Sequence, residues 1–326
     1  MRRREFIKVV AGSAAAWPFA TLAQQSAIPA VGLLRSTPAA PFKDLIVALR
    51  EGLKEIGFVD GYNVVLEQRW ANNQDDKLPD LTADLVRHKV AVIIGNQQAI
   101  EPAKAASATT PIIFVTGGDP VAAGLVKSLN RPEGNVTGVT FFGGGQLDAK
   151  RMQLLHELVP KATTIGVFGD PNYPAFEPGL ANIEAAARAI GLQIIVVRIA
   201  QRKDFADAFA KIARAGASAL LVSGSPFFSS ERNTLVSLAA RHAIPAIYDL
   251  REQVAAGGLI SYSASITGAY RQAGVYAGRI LKGAKPSELP VQQATKFELV
   301  INLKTAKALG LTIPSGILSI ADEIVE

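Results

Sequence analysis

The sequence contains no cysteine among its 326 residues. Disulfide bonds, a cysteine nucleophile and cysteine metal ligands are therefore excluded. Attachment of a lipid through a cysteine is excluded as well, so we expect the mature chain not to be lipid-anchored.

Histidine is nearly as scarce. The three histidines, His88, His156 and His242, lie far apart in sequence, each near the end of a predicted helix. A histidine at the C-terminal end of a helix interacts favourably with the helix dipole, which explains these positions without catalysis. No set of nucleophile, base and acid stands out, so we predict a protein that is not an enzyme and has no resident metal or cofactor.

Nucleotide-binding motifs are also missing. The segment "GGGQLD", residues 143–148, begins like a dinucleotide-binding fingerprint, but Asp148 stands where the third glycine belongs. The segment also comes midway along the chain, and a glycine turn between a strand and a helix explains it. No P-loop or G-x-S-x-G pattern occurs.

The excess of basic residues lies largely at the N-terminus. The whole chain has 34 Lys and Arg against 28 Asp and Glu. Residues 1–23 carry four of the basic and one of the acidic side chains, which leaves 30 against 27. No basic cluster with interleaved aromatic residues remains, so nucleic acid is not an expected partner.

The N-terminal segment has the three parts of an export signal. "MRRREFIKVVAGSAAAWPFATLAQQ" starts with three arginines, continues with an apolar run too short to span a bilayer, and ends in small residues before a predicted cleavage site near Ala23. "RREFIK" fits the twin-arginine pattern, with an ordinary secretory signal or a basic amphipathic start as the alternatives. We therefore expect a periplasmic protein with residues 1–23 removed.

The rest of the chain alternates short apolar runs with amphipathic segments. This order predicts an α/β fold with two doubly wound parallel sheets, since each strand is followed by one crossover helix. Helices are predicted, for example, over 42–56 and near 121–129. About 300 mature residues suit two lobes of ordinary domain size.

Polar residues, glycine and proline follow most of the predicted strands. Ligands of open α/β sheets bind beyond the carboxyl ends of the strands, so these positions form the candidate ligand site. Ordinary turns are rich in the same residue types, which is the alternative explanation. The candidates are Ser36, Asn96, Gln97, Thr116, Asp119, Asn172, Tyr173, Ser225, Tyr248, Asp249 and Tyr262.

Some of these side chains suit particular ligand groups. The tyrosines offer flat apolar surface with a polar end. Asp119 and Asp249 can each meet an ammonium group, with capping of a turn as the alternative, and Arg35 or Arg251 can meet a carboxylate.

Three segments resemble one family of proteins: "PDLTADLVRHKVAVIIGNQQA", "TTPIIFVTGGDPVAAGLVKSLNRPEGNVTGVT" and "TKFELVINLKTAKALGLTIP". They are similar to the substrate-binding proteins of a group of ABC transporters, and the resemblance covers about 28–326. It implies a type I periplasmic-binding fold with the ligand between two lobes. It also implies crossovers near 138–141, 257–259 and 296–299, with lobe one at 28–138 plus 259–296 and lobe two at 139–258 plus 297–326.

The resemblance also implies a function. The expected protein is a monomeric periplasmic subunit of an ABC importer that closes on a small amphipathic molecule, such as an aromatic amino acid or aromatic acid, and docks on an inner-membrane permease. Asp119 matches an aspartate of the family's Asp-Pro turn. The loop at 248–251 departs from the acidic version of tryptophan-binding relatives, which argues against tryptophan. The alternatives are a sensory binding protein and an exported oxidoreductase with a nucleotide cofactor.

Overall fold

The computed structural model describes residues 28–141 and 146–326. The predicted export signal and the glycine turn at 143–145 lie outside the described residues. Within the described ranges, no helix combines the length and the hydropathy needed to cross a membrane.

The described residues form strands and helices that alternate along most of the chain, as the sequence predicts. The strands are β1 (Ala30–Arg35), β2 (Val65–Trp70), β3 (Val92–Asn96), β4 (Ile112–Thr116), β5 (Val136–Thr140), β6 (Thr164–Gly169), β7 (Gln193–Arg198), β8 (Ala219–Val222), β9 (Ala246–Tyr248), β10 (Ile260–Ser263), β11 (Gln292–Gln293), β12 (Glu298–Asn302) and β13 (Glu323–Val325). The helices are α1 (Lys43–Glu55), α2 (Leu78–Arg87), α3 (Gln97–Ala106), α4 (Gln146–Leu158), α5 (Phe176–Ala189), α6 (Phe205–Arg214), α7 (Pro226–Ser230), α8 (Arg232–Arg241), α9 (Arg251–Ala255), α10 (Ile266–Leu281), α11 (Leu303–Ala308) and α12 (Ser315–Ser319).

The first sheet has the strand order β11-β5-β4-β3-β1-β2 and is parallel throughout. Its central strands β3 and β4 are buried at every residue, because helices cover both faces of the sheet. Their continuous apolar runs, VIIGN and IIFVT, are the sequence signature of such strands.

Helices α1 and α10 pack against each other on one face of this sheet, and their backbones approach closely at two glycines. A Cβ atom on Gly274 would lie 2.2 Å from the Leu49 carbonyl oxygen, and one on Gly52 would lie 1.8 Å from that of Arg271. Glycine is therefore required at both positions.

The second sheet has the order β13-β12-β10-β9-β8-β6-β7, and its pairings are parallel except for β10 with β12. Two apolar clusters lie on its faces. One contains Phe168, Phe205 and Phe228, and the other contains Leu155 and Ile247. We call the elements on the first sheet (28–140 and 266–293) lobe one, and those on the second sheet (146–263 and 298–326) lobe two.

The described chain passes from one sheet to the other after β5, after β10 and after β11. The first and third passages lie near the expected positions. The second follows Ser263, whereas the expected position is near 257–259, with 259–263 in lobe one. Strand β10 pairs through Ile260 with both Ile247 and Ile301, which puts these residues in the second sheet. Whether the lobes move as separate bodies stays a prediction.

The predicted helix near 121–129 is not formed, and a series of turns takes its place. The Asp119 carboxylate accepts hydrogen bonds from the backbone N–H groups of Val121 and Ala122. Gly124 has a φ of +69°, a conformation that an α-helix does not contain. A local side-chain bond and a left-handed glycine therefore override the helical pattern.

Candidate ligand-binding site

A cavity of about 420 Å³ lies between the two lobes and is lined by residues of both. The carboxyl ends of both parallel sheets face it, which is where the strand-end rule places a ligand. Most of the wall is apolar. The aromatic residues of the wall are Phe42, Phe141, Tyr173, Phe176 and Tyr270.

Seven of the eleven predicted site residues line this cavity, and four do not. Those in the wall are Asn96, Gln97, Thr116, Asp119, Tyr173, Ser225 and Asp249. Among the others, Asn172 is exposed and Tyr248 is buried in the core of lobe two. Tyr262 packs on Phe297, with ring centres 6.1 Å apart. Ser36 is buried behind the wall.

Ser36 nevertheless helps to place a wall residue. Its backbone N–H donates to the Asn96 Oδ1 atom at 3.0 Å, and the Asn96 Nδ2 atom donates to the Ser36 hydroxyl at 2.9 Å. These two bonds fix the amide of Asn96 at the end of β3.

A second set of hydrogen bonds, among Gln97, Thr116 and Gly118, forms the floor of the cavity in lobe one. The Thr116 hydroxyl donates to the Gln97 Oε1 atom at 2.7 Å and accepts from the Gly118 N–H at 3.0 Å. Gln97 is thereby held at the start of α3, at the carboxyl end of the sheet.

Asp119 is half-buried, and one of its oxygens accepts the two turn hydrogen bonds described above. The structure therefore shows the turn-capping role that the sequence left open. Its place in the wall is compatible with a ligand contact as well.

Arg35 is a buried cation, only 2% exposed, at the end of β1. Its guanidinium lies over the Phe42 ring at 4.3 Å and near the Tyr270 ring at 5.3 Å, and it donates to the hydroxyls of Thr37 and Tyr270. Among the described residues, no acidic side chain forms an ion pair with it. Arg251, the other predicted carboxylate partner, pairs with Glu323 at 2.6 Å and lies outside the wall.

Asp249 of lobe two provides a carboxyl group whose charge is opposite to that of Arg35 in lobe one. It is buried in the wall, and among the described residues its Oδ1 atom and the nearby Ser223 hydroxyl have no hydrogen-bond partner. Burial raises the pKa of Asp249 to about 6, although the positive charge of Arg151 opposes the shift. Gly224 leaves room for the carboxylate, since a Cβ there would lie 2.8 Å from the Asp249 Oδ2 atom.

Ser225 has a structural role at the edge of the cavity. Its hydroxyl donates to Asp170 at 2.6 Å and accepts from the N–H groups of Phe227 and Phe228, so it caps α7. Burial raises the pKa of Asp170, and the hydrogen bond from Ser225 opposes that shift.

Two contacts close the cavity at the junction of the lobes. Tyr173 of lobe two is buried near Thr116 and Gly117 of lobe one, and burial raises its pKa to about 12. A Cβ on Gly118 would lie 2.8 Å from the Ala175 Cβ atom of lobe two. The lobes therefore touch across the cavity, as in a closed form.

Several wall residues were missed by the strand-end rule. Arg151 is buried on α4 and donates to Asp148 and to the Tyr262 carbonyl, both at 2.9 Å. Tyr270 lies on α10, more than 230 residues after Arg35, which it contacts. These residues stand on helices, and only the three-dimensional arrangement brings them to the strand ends.

Two parallel-dominated α/β sheets joined by three passages, with a cavity between them, define a type I periplasmic-binding fold. The family model described as "ABC transporter substrate binding protein" matches residues 41–325. The chain therefore belongs to the ABC transporter substrate-binding proteins, which bind small molecules and work with ABC permeases.

Known relatives agree with this family. A tyrosine-binding protein of Clostridioides difficile is 26% identical over 80% of this chain and 75% of its own length. A structure of the ABC domain from Streptococcus pneumonia in complex with L-Trp is 25% identical, with a TM-score of 0.83 over 91% of this chain and 99% of that one. A conserved domain protein of Vibrio cholerae, at 24% identity with a TM-score of 0.84 and the same coverage, shares the fold.

Proposed function

We propose that this protein is the periplasmic ligand-capturing subunit of an ABC importer, and that it binds an aromatic amino acid or aromatic acid by closure of its lobes. One observation carries the proposal. The buried cation of Arg35 lies in an aromatic wall without an acidic partner among the described residues.

The charge of Arg35 favours a ligand with an anionic group. A buried cation is costly unless an anion or hydrogen bonds compensate it, and Arg35 has only the hydroxyls of Thr37 and Tyr270 and two aromatic rings. A ligand carboxylate would supply the missing charge through charge-assisted hydrogen bonds.

The size of the cavity and its aromatic wall favour a small molecule with a ring. The cavity of about 420 Å³ falls within the range that small-molecule ligands occupy. Its aromatic wall residues, among them Phe141 and Phe176, offer the offset and edge contacts that a ligand ring prefers. The ligand is therefore small, with an apolar ring and a polar end.

The carboxylate of Asp249 favours an amino acid over an acid without an amino group. At pH 7 the carboxyl of Asp249 is mostly ionised, since its pKa is about 6. Its free oxygen and the Ser223 hydroxyl suit the donors of a ligand ammonium group. This supports an amino acid, in line with the tyrosine and L-Trp named for two relatives.

The remaining parts of the proposal rest on the family and on the N-terminal sequence. Closure around the ligand would present a surface made of both lobes to the permease. The permease would thereby distinguish the ligand-bound subunit from the empty one. The signal-like segment at 1–23 supports export to the periplasm.

Three matched compounds test the ligand class: L-phenylalanine, 3-phenylpropionate and 2-phenylethylamine. They share the ring and differ in the carboxylate and the amine. Calorimetry at pH 7.5 should show the amine without carboxylate binding at least about tenfold more weakly than L-phenylalanine. Equal binding of all three compounds would contradict the proposed contact between Arg35 and a ligand carboxylate. No binding by any of them would contradict the assignment of an aromatic ligand.

A further inference from the structure

The lobes also meet away from the ligand cavity, at a region that we call the closure interface and define by Pro41, Asn73, Ser230, Arg232 and Leu250. Leu250 of lobe two is buried in the apolar core cluster of lobe one. The Asn73 amide of lobe one donates to the Ser230 hydroxyl of lobe two at 3.2 Å. None of these contacts involves the ligand directly, although Leu250 also borders the cavity.

Arg232 makes the charge-assisted contact of this interface. Its Nη1 atom donates to the Pro41 carbonyl of lobe one at 3.0 Å and to the Ser229 carbonyl of its own lobe at 3.2 Å. The side chain is half-buried and is not part of the cavity wall. One guanidinium thus connects the backbones of both lobes.

The position of Arg232 in its helix gives a second reason to regard this contact as specific. It is the first residue of α8, whose first turn contains no acidic residue. A cation at a helix N-terminus opposes the helix dipole and lowers helix stability. The stability of α8 therefore does not account for an arginine here, whereas its hydrogen bonds to the Ser229 carbonyl at the end of α7 and to the Pro41 carbonyl of lobe one do.

The charges around Arg232 come from both lobes. A small void of about 20 Å³ at the interface is lined by Arg232, by Glu252 on α9 and by Asp44 on α1. Burial raises the pKa of Glu252, and the positive charges of Arg251 and Arg232 oppose that shift. The negative charge of Asp44 in lobe one raises the same pKa, so Asp44 and Glu252 repel each other across the interface and the positive charge of Arg232 counteracts that repulsion.

We propose that Arg232 is a positioning residue for closure, whose contact with Pro41 forms when the lobes meet and sets the fraction of closed protein. The apparent affinity of a protein whose binding form is only partly populated falls in proportion to that fraction. Arg232 therefore controls ligand affinity without touching the ligand.

The absence of cysteine allows a test without any ligand. Asn73→Cys and Ser230→Cys place one thiol on each side of the interface, and the rate of disulfide formation under a fixed oxidant reports the closed population. In this background, Arg232→Gln and Arg232→Met should each slow cross-linking about tenfold, the effect of losing one charge-assisted hydrogen bond. X-ray scattering, which does not depend on the thiols, should show a larger radius of gyration.

The matched control is Arg188→Gln, because Arg188 is an exposed arginine of lobe two that pairs with Glu184 on the same helix. It should cross-link at the parental rate. Unchanged rates in both Arg232 variants would overturn the proposal. Failure of both variants to fold would also overturn it, since Arg232 would then serve lobe stability. Neither outcome bears on the ligand class, because no ligand is used.

Discussion

The guanidinium of Arg35 lies over the ring of Phe42, with its Cζ atom 4.3 Å from the ring centre. The first residue ends β1, and the second immediately precedes α1. The end of β1 and the start of α1 therefore bring Arg35 and Phe42 into a cation–π contact at the carboxyl end of the first sheet.

Replacing Arg35 tests this cation directly. Arg35→Gln should weaken binding of an aromatic carboxylate at least about tenfold, because one charged partner of a desolvated pair is lost. Calorimetry with L-phenylalanine measures the change. Arg251→Gln is the control, since Arg251 pairs with Glu323 outside the cavity and should leave the affinity unchanged. Equal losses in both variants would contradict a specific role for Arg35.

Gly118 tests whether ligand capture needs the observed approach of the lobes. In Gly118→Ala the new Cβ would lie 2.8 Å from the Ala175 Cβ atom across the junction, so closure would be opposed. We expect the affinity to fall at least about tenfold. The new Cβ would also lie 2.7 Å from the Gln97 Oε1 atom, which accepts the Thr116 hydrogen bond, so we expect the melting temperature of the ligand-free protein to fall by a few degrees as well.

The control for this variant is Gly316→Ala, at a glycine with no atom within 4 Å of the added Cβ. It should bind as the parent does. A normal affinity in Gly118→Ala would mean that the lobes need not approach this closely to hold a ligand.

The sequence predicted most of the fold because parallel strands and their crossover helices leave a simple pattern. The run VIIGN in β3 and the polar Asn96 at its end are enough to place a strand and a residue of the cavity wall. Strand β10 was assigned to the wrong lobe, since its pairing with Ile247 and Ile301 depends on partners that one strand does not specify.

The site was less predictable, and Tyr248 and Asp249 show why. Both occur at the end of β9, yet the tyrosine is buried in the lobe core and the aspartate lines the cavity. Successive side chains of a strand point to opposite sides, and the sequence alone does not say which side faces the ligand. Tyr270 was missed because a helix brings it to β1 from far along the chain.

The raised pKa of Asp249 predicts how binding depends on pH. Below about pH 6 the carboxyl is protonated and loses its attraction for a ligand ammonium. The affinity for L-phenylalanine should therefore fall as the pH drops from 7 to 5. Asp249→Asn should bind more weakly at pH 7 and show a flatter profile, and calorimetry at several pH values measures both. An identical profile in the variant would place the titrating group elsewhere.

The same pKa predicts that the Asp249→Asn variant is more stable than the parent protein at high pH. Because burial raises the folded-state pKa above the unfolded one, ionised Asp249 lowers the stability of the free protein, and this cost grows as the pH rises through the interval between the two values. At pH 8, Asp249→Asn should raise the free energy of unfolding by roughly 1–3 kcal/mol. At pH 4, just above the unfolded pKa of 3.8, the difference should fall to about 0.5 kcal/mol. Urea unfolding at both pH values measures it, and a stability loss at pH 8 would contradict the assignment.

Gly274 tests the close packing of α1 and α10. In Gly274→Ala the new Cβ would lie 2.2 Å from the Leu49 carbonyl oxygen, so the two helices would have to separate. We expect the free energy of unfolding to fall by about 2–3 kcal/mol. Gly268→Ala, in the first turn of the same helix, has no neighbour closer than 3.4 Å and should leave stability unchanged or raise it by up to about 1 kcal/mol. Urea unfolding compares the two, and similar stabilities would mean that the helices do not pack as closely as the glycines indicate.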